Sequence, residues 1–231
     1  DDVESRGLGD VYKRQMLEYA EYLESLSMQN GMIEVIQDDQ QTMDGFLYNK
    51  KVEQYLHTAI AQDLFEVYYQ PIVDCVSGRV IGAEALMRYT MVTEEGKEWL
   101  SPVEFIPLLE KTGLIIPAGR FVLNEAAKMC REIQQYIPEF SVNVNISCYQ
   151  IEHGKIADKI LTAVRDNGLM PDRICIEMTE SGFMDMTPVF CKFRKVLEEN
   201  GIQFVIDDFG TGYSSLDILK ALPADLSLIH I

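Results

Sequence analysis

FEVYYQPIVDCVSGRVIGAEALMRY, residues Phe65 to Tyr89, decides the fold. It contains two strand-like runs, FEVYYQPIV (65–73) and RVIGAEALMRY (79–89), separated only by DCVSG. A parallel crossover needs about a dozen or more residues, so these strands must pair antiparallel as a hairpin. Downstream the units lengthen. SPVEFIPLLEKTG opens with Ser101, which can cap a helix with Glu104 three residues on, and a further helix is predicted over 118–136. A strand over 141–147, a helix ending near Asn167, a strand over 173–181, a helix over 188–200, a strand over 203–209 and a helix over 214–222 follow. Strand and helix alternating at roughly 30-residue intervals give a parallel sheet, in either a barrel or a doubly wound core.

Upstream of Leu64 the character differs. Residues 1–15 (DDVESRGLGDVYKRQ) lack apolar periodicity and are predicted to be unstructured or foreign to the fold. MLEYAEYLESLS (16–27) has helical spacing, MIEVI (32–36) reads as a short strand, and Val52, Tyr55, Leu56 and Ala59 form one face of a helix over 48–63. The expected organisation is therefore an upstream tail over 16–47, a linker helix over 48–63, and a β/α domain over 64–231.

The chain carries 37 acids against 20 bases, a formal charge of −17. So acidic a surface repels a phosphate backbone, which argues against nucleic-acid polymers and anionic lipid as partners. No apolar run approaches the ~20 residues of a membrane span. The five cysteines are scattered, with no Cys-x-x-Cys, and are expected as free thiols in a reducing cytoplasm, each a small core residue. The three histidines have neither zinc-site spacing nor a neighbouring nucleophile, so oxygen groups are left to carry any chemistry.

Those oxygen groups recur in a pattern. Alternation places Glu84, Leu86 and Arg88 on one strand face, Asn143, Asn145 and Ser147 on another, Glu177 with Thr179, and Val205 with Asp207. One such acid is ordinarily a strand-end residue reaching water. Four strands repeating it point to a site, because buried carboxylates are costly unless paired or metal-bound. Glu84, Glu177, Asp207 and Asp208 together bring roughly −4, near the charge of two divalent cations, and Asn145 adds a neutral oxygen. Oxygen donors without Cys or His suit Mg²⁺ or Mn²⁺, with Ca²⁺ as an inhibitory substitute, and two such ions can clamp a phosphodiester. Asp208-Phe209-Gly210 copies a kinase tripeptide without the other kinase motifs, and Gly210-Thr211-Gly212 lacks the third glycine of a dinucleotide fingerprint.

Taken in order, FEVYYQPIVD (65–74), GAEALMR (82–88), SPVEFIPLLEKTGLI (101–115), VNVNIS (142–147), IEMTES (176–181) and DDFGTGYSSL (207–216) resemble the EAL domain of cyclic di-GMP phosphodiesterases. The resemblance implies an α/β fold, a (β/α)8 barrel with an antiparallel first strand, and hydrolysis of cyclic di-GMP to pGpG at two Mg²⁺ or Mn²⁺ ions. It implies Glu84, Asn145, Glu177 and Asp207 as metal ligands and Asp208 at the second metal. Glu180 is implied to hold the loop after Asp207 and Asp208, a loop that also shapes homodimer contacts. Gln70, Leu86 and Arg88 are implied as substrate contacts. Arg88 is the local cation a phosphate needs on an acidic protein, its structural alternative being an ion pair with a site carboxylate. A non-catalytic cyclic di-GMP receptor is the alternative function, and a bare interaction fragment a third. Residues 16–63 more weakly resemble the end of a degenerate GGDEF-type domain and its joining helix.

After Asp225 the family continues x-L-K-I-D, whereas here Leu228 and His230 stand at the lysine and aspartate positions, and no later glutamate base follows. About 170 residues from Leu64 also fall short of the ~250 of an eight-unit barrel. The sequence is therefore expected to be an incomplete barrel with negligible turnover by itself, cut from a longer parent enzyme. LGDVYKRQ (8–15) and the closing SLIHI resemble translated adapter sequence.

Overall fold

The structure, a computed structural model, describes residues 2–27, 40–179, 187–207 and 226–227. The chain divides into two compact units, Asp1–Tyr55 and Leu56–Ile231. The predicted strand over 32–36 and the helix over 214–222 lie outside the described residues, as do Glu180, Asp208, Asp225, Leu228 and His230.

In the first unit, α1 spans Asp2–Ser27 and includes the stretch expected to be unstructured. Once a helix is nucleated, each added residue gains a local hydrogen bond, so residues 2–15 extend the turns of 16–27 despite a cost of about 1 kcal/mol for each of Gly7 and Gly9. The second helix, α2 (Gln40–Ala61), begins eight residues before the expected linker helix. Within the first unit its Phe46 ring sits against Tyr19 and Tyr22, centroids 5.2 and 5.7 Å away. Lys50 bonds both Glu18 and Glu53 at 3.0 Å.

The second unit is a sheet with helices on one face. β1 (Phe65–Val73) and β2 (Val80–Thr93) form the antiparallel hairpin predicted from the short turn. Asp74 closes that turn, its Oδ1 accepting from the Ser77 amide at 2.7 Å and the Ser77 hydroxyl at 2.6 Å. These bonds, the hydroxyl's foremost, hold the Asp74 carboxyl below the usual carboxylate range. β3 (Gly96–Leu100), not anticipated, folds back antiparallel on the end of β2. From β2 onward the sheet is parallel, in the order β1-β2-β4-β5-β6-β7, with β4 at Ser141–Asn145, β5 at Ile174–Thr179, β6 at Gln203–Asp207 and β7 at Leu226–Ser227. Among the described residues the sheet stays open between β1 and β7. It is part of a (β/α) barrel with an antiparallel first strand.

Ser101 starts α3 (Pro102–Thr112) as expected, its amide donating to Glu104 Oε2 at 2.8 Å, and Gly113 ends it in the left-handed conformation at φ 74°. Phe105 of α3 packs with Phe65 and Tyr89 beneath the hairpin. α4 (Ile115–Ile133) lays Val122, Leu123, Ala126, Ala127 and Cys130 on the sheet. The helix expected to end near Asn167 is two helices, α5 (Cys148–His153) and α6 (Ile156–Asp166), interrupted at Gly154 and Lys155. α7 spans Pro188–Glu199, capped by Thr187, whose hydroxyl accepts from the Phe190 amide. The apolar face of the sheet supplies Ala83, Ala85, Val142, Val144, Ile174, Ile176, Phe204 and Ile206 to this core. All five cysteines are free thiols, but Cys75 and Cys191 are exposed, so only part of the set serves the core. Cys75 falls beyond the end of β1, and Cys191 does not share the face of α7 that buries Phe190, Phe193 and Leu197.

Candidate metal and phosphodiester site

The strand register brings the predicted residues onto the face opposite the core. Gln70 lies opposite Glu84 across the hairpin, Glu84 is level with Asn143, Asn145 with Glu177, Glu177 with Val205 and Thr179 with Asp207. Partners level in a sheet share a face, so the alternation read from sequence holds across β2, β4, β5 and β6. Ser147 is the exception, because β4 ends at Asn145 and Ser147 precedes α5, where its amide donates to Gln150 Oε1.

Two amide–carboxylate hydrogen bonds tie the three strands. Asn145 Nδ2 donates to Glu84 Oε1 at 2.7 Å, and Asn143 Nδ2 donates to Glu177 Oε1 at 2.6 Å. Both donors stand on the central strand β4, and each reaches diagonally to the neighbour with which it is not level. Glu84 is 8% exposed and Glu177 1%, so both carboxylates have largely exchanged water for these partners. Asn143 was placed on this face by its alternation, but nothing in the sequence indicated a partner for it. The N-x-N spacing was the available signal.

Arg88 is half-buried on β2, its Nη1 donating to the Met87 carbonyl at 2.9 Å and its guanidinium 5.8 Å from the Tyr68 ring centroid. Among the described residues it forms no ion pair, so the alternative of a salt bridge to Glu84 or Glu177 is not realised. Tyr68, 55% exposed and level with Leu86, was not anticipated as the support of Arg88. Gln70 is exposed and Leu86 half-buried. A cavity of about 790 Å³, within the range of small-molecule sites, has Leu86, Arg88, Asn145 and Thr179 in its wall, but most of its lining comes from α3, α4, α5, α7 and core-side residues such as Ile146 and Met178.

Among the described residues no three His, Cys, Asp or Glu side chains gather closely enough to hold a metal ion. Of the acids expected to do so, Glu84 and Glu177 are the two whose side chains are described. Their chemistry nevertheless fits a hard divalent cation, with two buried carboxylates and the Asn145 carboxamide, whose Nδ2 is engaged and whose oxygen is the atom left to ligate. No described helix is long and apolar enough to cross a membrane.

Comparison with known proteins bears on the family of the chain. The EAL domain pattern matches residues 53–231. MucR of Pseudomonas aeruginosa, a bifunctional diguanylate cyclase/cyclic di-GMP phosphodiesterase, is 37% identical over 174 residues, 73% of this chain and 24% of that protein. PdeG of Escherichia coli, a probable cyclic di-GMP phosphodiesterase, is 33% identical over 182 residues, 77% of this chain and 35% of that protein. The solved structure of the MucR phosphodiesterase in complex with cyclic di-GMP superposes with a TM-score of 0.69 at 35% identity, covering 78% of this chain and 72% of that one. The chain spans about a quarter of the length of the first curated relatives it matches. On the sequence pattern, the relatives and the superposition together, the chain belongs to the EAL domain family.

Proposed function

We propose that the polar face is the site of a divalent-metal-dependent phosphodiesterase that hydrolyses cyclic di-GMP to pGpG. The observation that carries this reading is the pair of buried carboxylates, Glu84 and Glu177, held by amides of the strand between them, with Arg88 on the Glu84 strand in no ion pair among the described residues. Glu84, Asn145, Glu177 and Asp207 would hold Mg²⁺ or Mn²⁺, with Asp208 at the second of two ions and Glu180 bracing the loop beyond. Held by these residues, the ions would supply Lewis-acid stabilisation of charge on the phosphodiester. Because pGpG keeps its terminal phosphate on a 5′ oxygen, water adds its oxygen to phosphorus and the P–O3′ bond breaks, the 3′ oxygen taking up a proton. Arg88, backed by Tyr68, offers a fixed guanidinium to a phosphate oxygen, and Gln70 and Leu86 line the approach. The protein acts as a homodimer in the cytoplasm, where the five free thiols are stable.

The test is pGpG formation from cyclic di-GMP with Mg²⁺ or Mn²⁺ by the protein in its full natural length, with Glu84→Ala as control. Metal-dependent product that falls by more than about 100-fold in the variant is expected. Tight nucleotide binding without product would replace this reading with that of a cyclic di-GMP receptor.

A further inference from the structure

We infer that Asn143 is a positioning residue that holds the Glu177 carboxylate in the orientation a metal ion requires, an inference that rests on the metal-site reading above. Asn143 is 7% exposed in the middle of β4, between Val142 and Val144, which are 0% and 1% exposed. A polar side chain so buried is costly unless it is satisfied. What satisfies it is the 2.6 Å bond to Glu177 Oε1, across 34 residues of sequence.

The choice of an amide is informative. Glu177, at 1% exposure, has almost no water to solvate it or to fix its rotamer, so a protein donor must do both. A lysine or arginine would do so by neutralising the carboxylate, which would then attract a cation poorly. A carboxamide donates without carrying charge, so this bond itself neutralises none of the carboxylate's charge. The bond also engages one named oxygen, Oε1, which fixes the carboxylate plane. The diagonal reach of Asn143 leaves the position level with Glu177 to Asn145, whose own Nδ2 is committed to Glu84. One strand thereby orients both flanking carboxylates. Partners that orient ligands in this way typically govern 10–100-fold of metal affinity.

The test is calorimetric titration of the full chain with Mn²⁺ alone, for the unaltered protein, Asn143→Leu and Asn143→Asp. Leucine keeps the shape and removes the donor, and aspartate keeps the shape and replaces the donor with an acceptor. Circular dichroism and the urea midpoint report whether each variant is folded. The expected result is Mn²⁺ affinity about 10–100-fold weaker in Asn143→Leu, weaker still in Asn143→Asp, with at least one of them retaining the folded state. Unchanged affinity in a folded variant would overturn the positioning role and leave the metal site standing, and loss of the fold in both variants would overturn it by making Asn143 a packing residue. Absence of Mn²⁺ binding by the unaltered chain would remove the metal-site reading itself, and this inference with it.

Discussion

The two faces of the parallel sheet divide the labour of the molecule between alternate residues. In β4, Val142 and Val144 enter the helix-covered core while Asn143 and Asn145 reach the carboxylates of the neighbouring strands. In β5, Ile176 and Glu177 are adjacent in sequence and equally buried, at 0% and 1% exposure, yet one packs against helices and the other sits in a hydrogen-bonded polar layer. Burial alone therefore does not separate scaffold from site. The face does, since dispersion and apolar burial act on one side and directional bonds to charge on the other.

The sharpest way to break this comparison is to alter those two neighbours separately. Ile176→Ala removes packing from a filled core and should cost about 2–5 kcal/mol in urea unfolding. Glu177→Gln retains an acceptor for Asn143 and removes a buried charge, so stability should stay within about 1 kcal/mol while Mn²⁺ affinity drops at least ~10-fold. Equal destabilisation by both changes would mean that the faces are not functionally distinct.

A smaller effect tests how closely the strands carrying the two faces must approach. Gly82 on β2 is level with Ser141 on β4, and a Cβ there would stand 2.8 Å from the Ser141 carbonyl oxygen. That neighbour is backbone within a ladder and cannot swing aside, so Gly82→Ala should destabilise by about 1–3 kcal/mol, read as a lowered urea midpoint. A midpoint equal to that of the unaltered protein would show that β2 and β4 have room to separate.

The smallest expected effect comes from the apolar side. Burial pushes the Cys130 thiol from its ordinary value near 9 up to about 11, with Arg173 opposing weakly. The unfolded chain therefore loses this proton first as pH rises, and the folded state loses stability between about pH 9 and 11, on the order of 1–2 kcal/mol. Cys130→Ala should flatten that slope in unfolding measured across this range. Tyr69, pushed up to about 12 by burial and then by Glu125 and Glu132, adds a similar loss above pH 10, so the interval from 9 to 10 isolates Cys130. An unchanged slope there would show that the thiol is not held in the dry layer.

Much of this was legible in the chain. The hairpin followed from DCVSG being too short for a crossover, and β1 was predicted with the bounds it has. The Ser101–Glu104 pair marked the start of α3, because caps are local chemistry. The elements missed were those set by context. β3 is a polar strand, GKEWL, that pairs because β2 continues beyond the core and offers it an edge, and residues 2–15 are helical through extension of a neighbouring helix.

By itself the sequence determined the alternation, and with it which residues could share a face, since a strand's period of two is fixed by backbone geometry. It also determined the charge balance and the oxygen donor set. Only the tertiary structure decided which strand stands beside which, and hence that Asn145 serves Glu84, Asn143 serves Glu177, and Arg88 rests on Tyr68 with no ion pair among the described residues. Those partners lie up to 61 residues apart in the chain, and a hydrogen bond is settled within a few tenths of an ångström by strand register, which residue order alone does not specify.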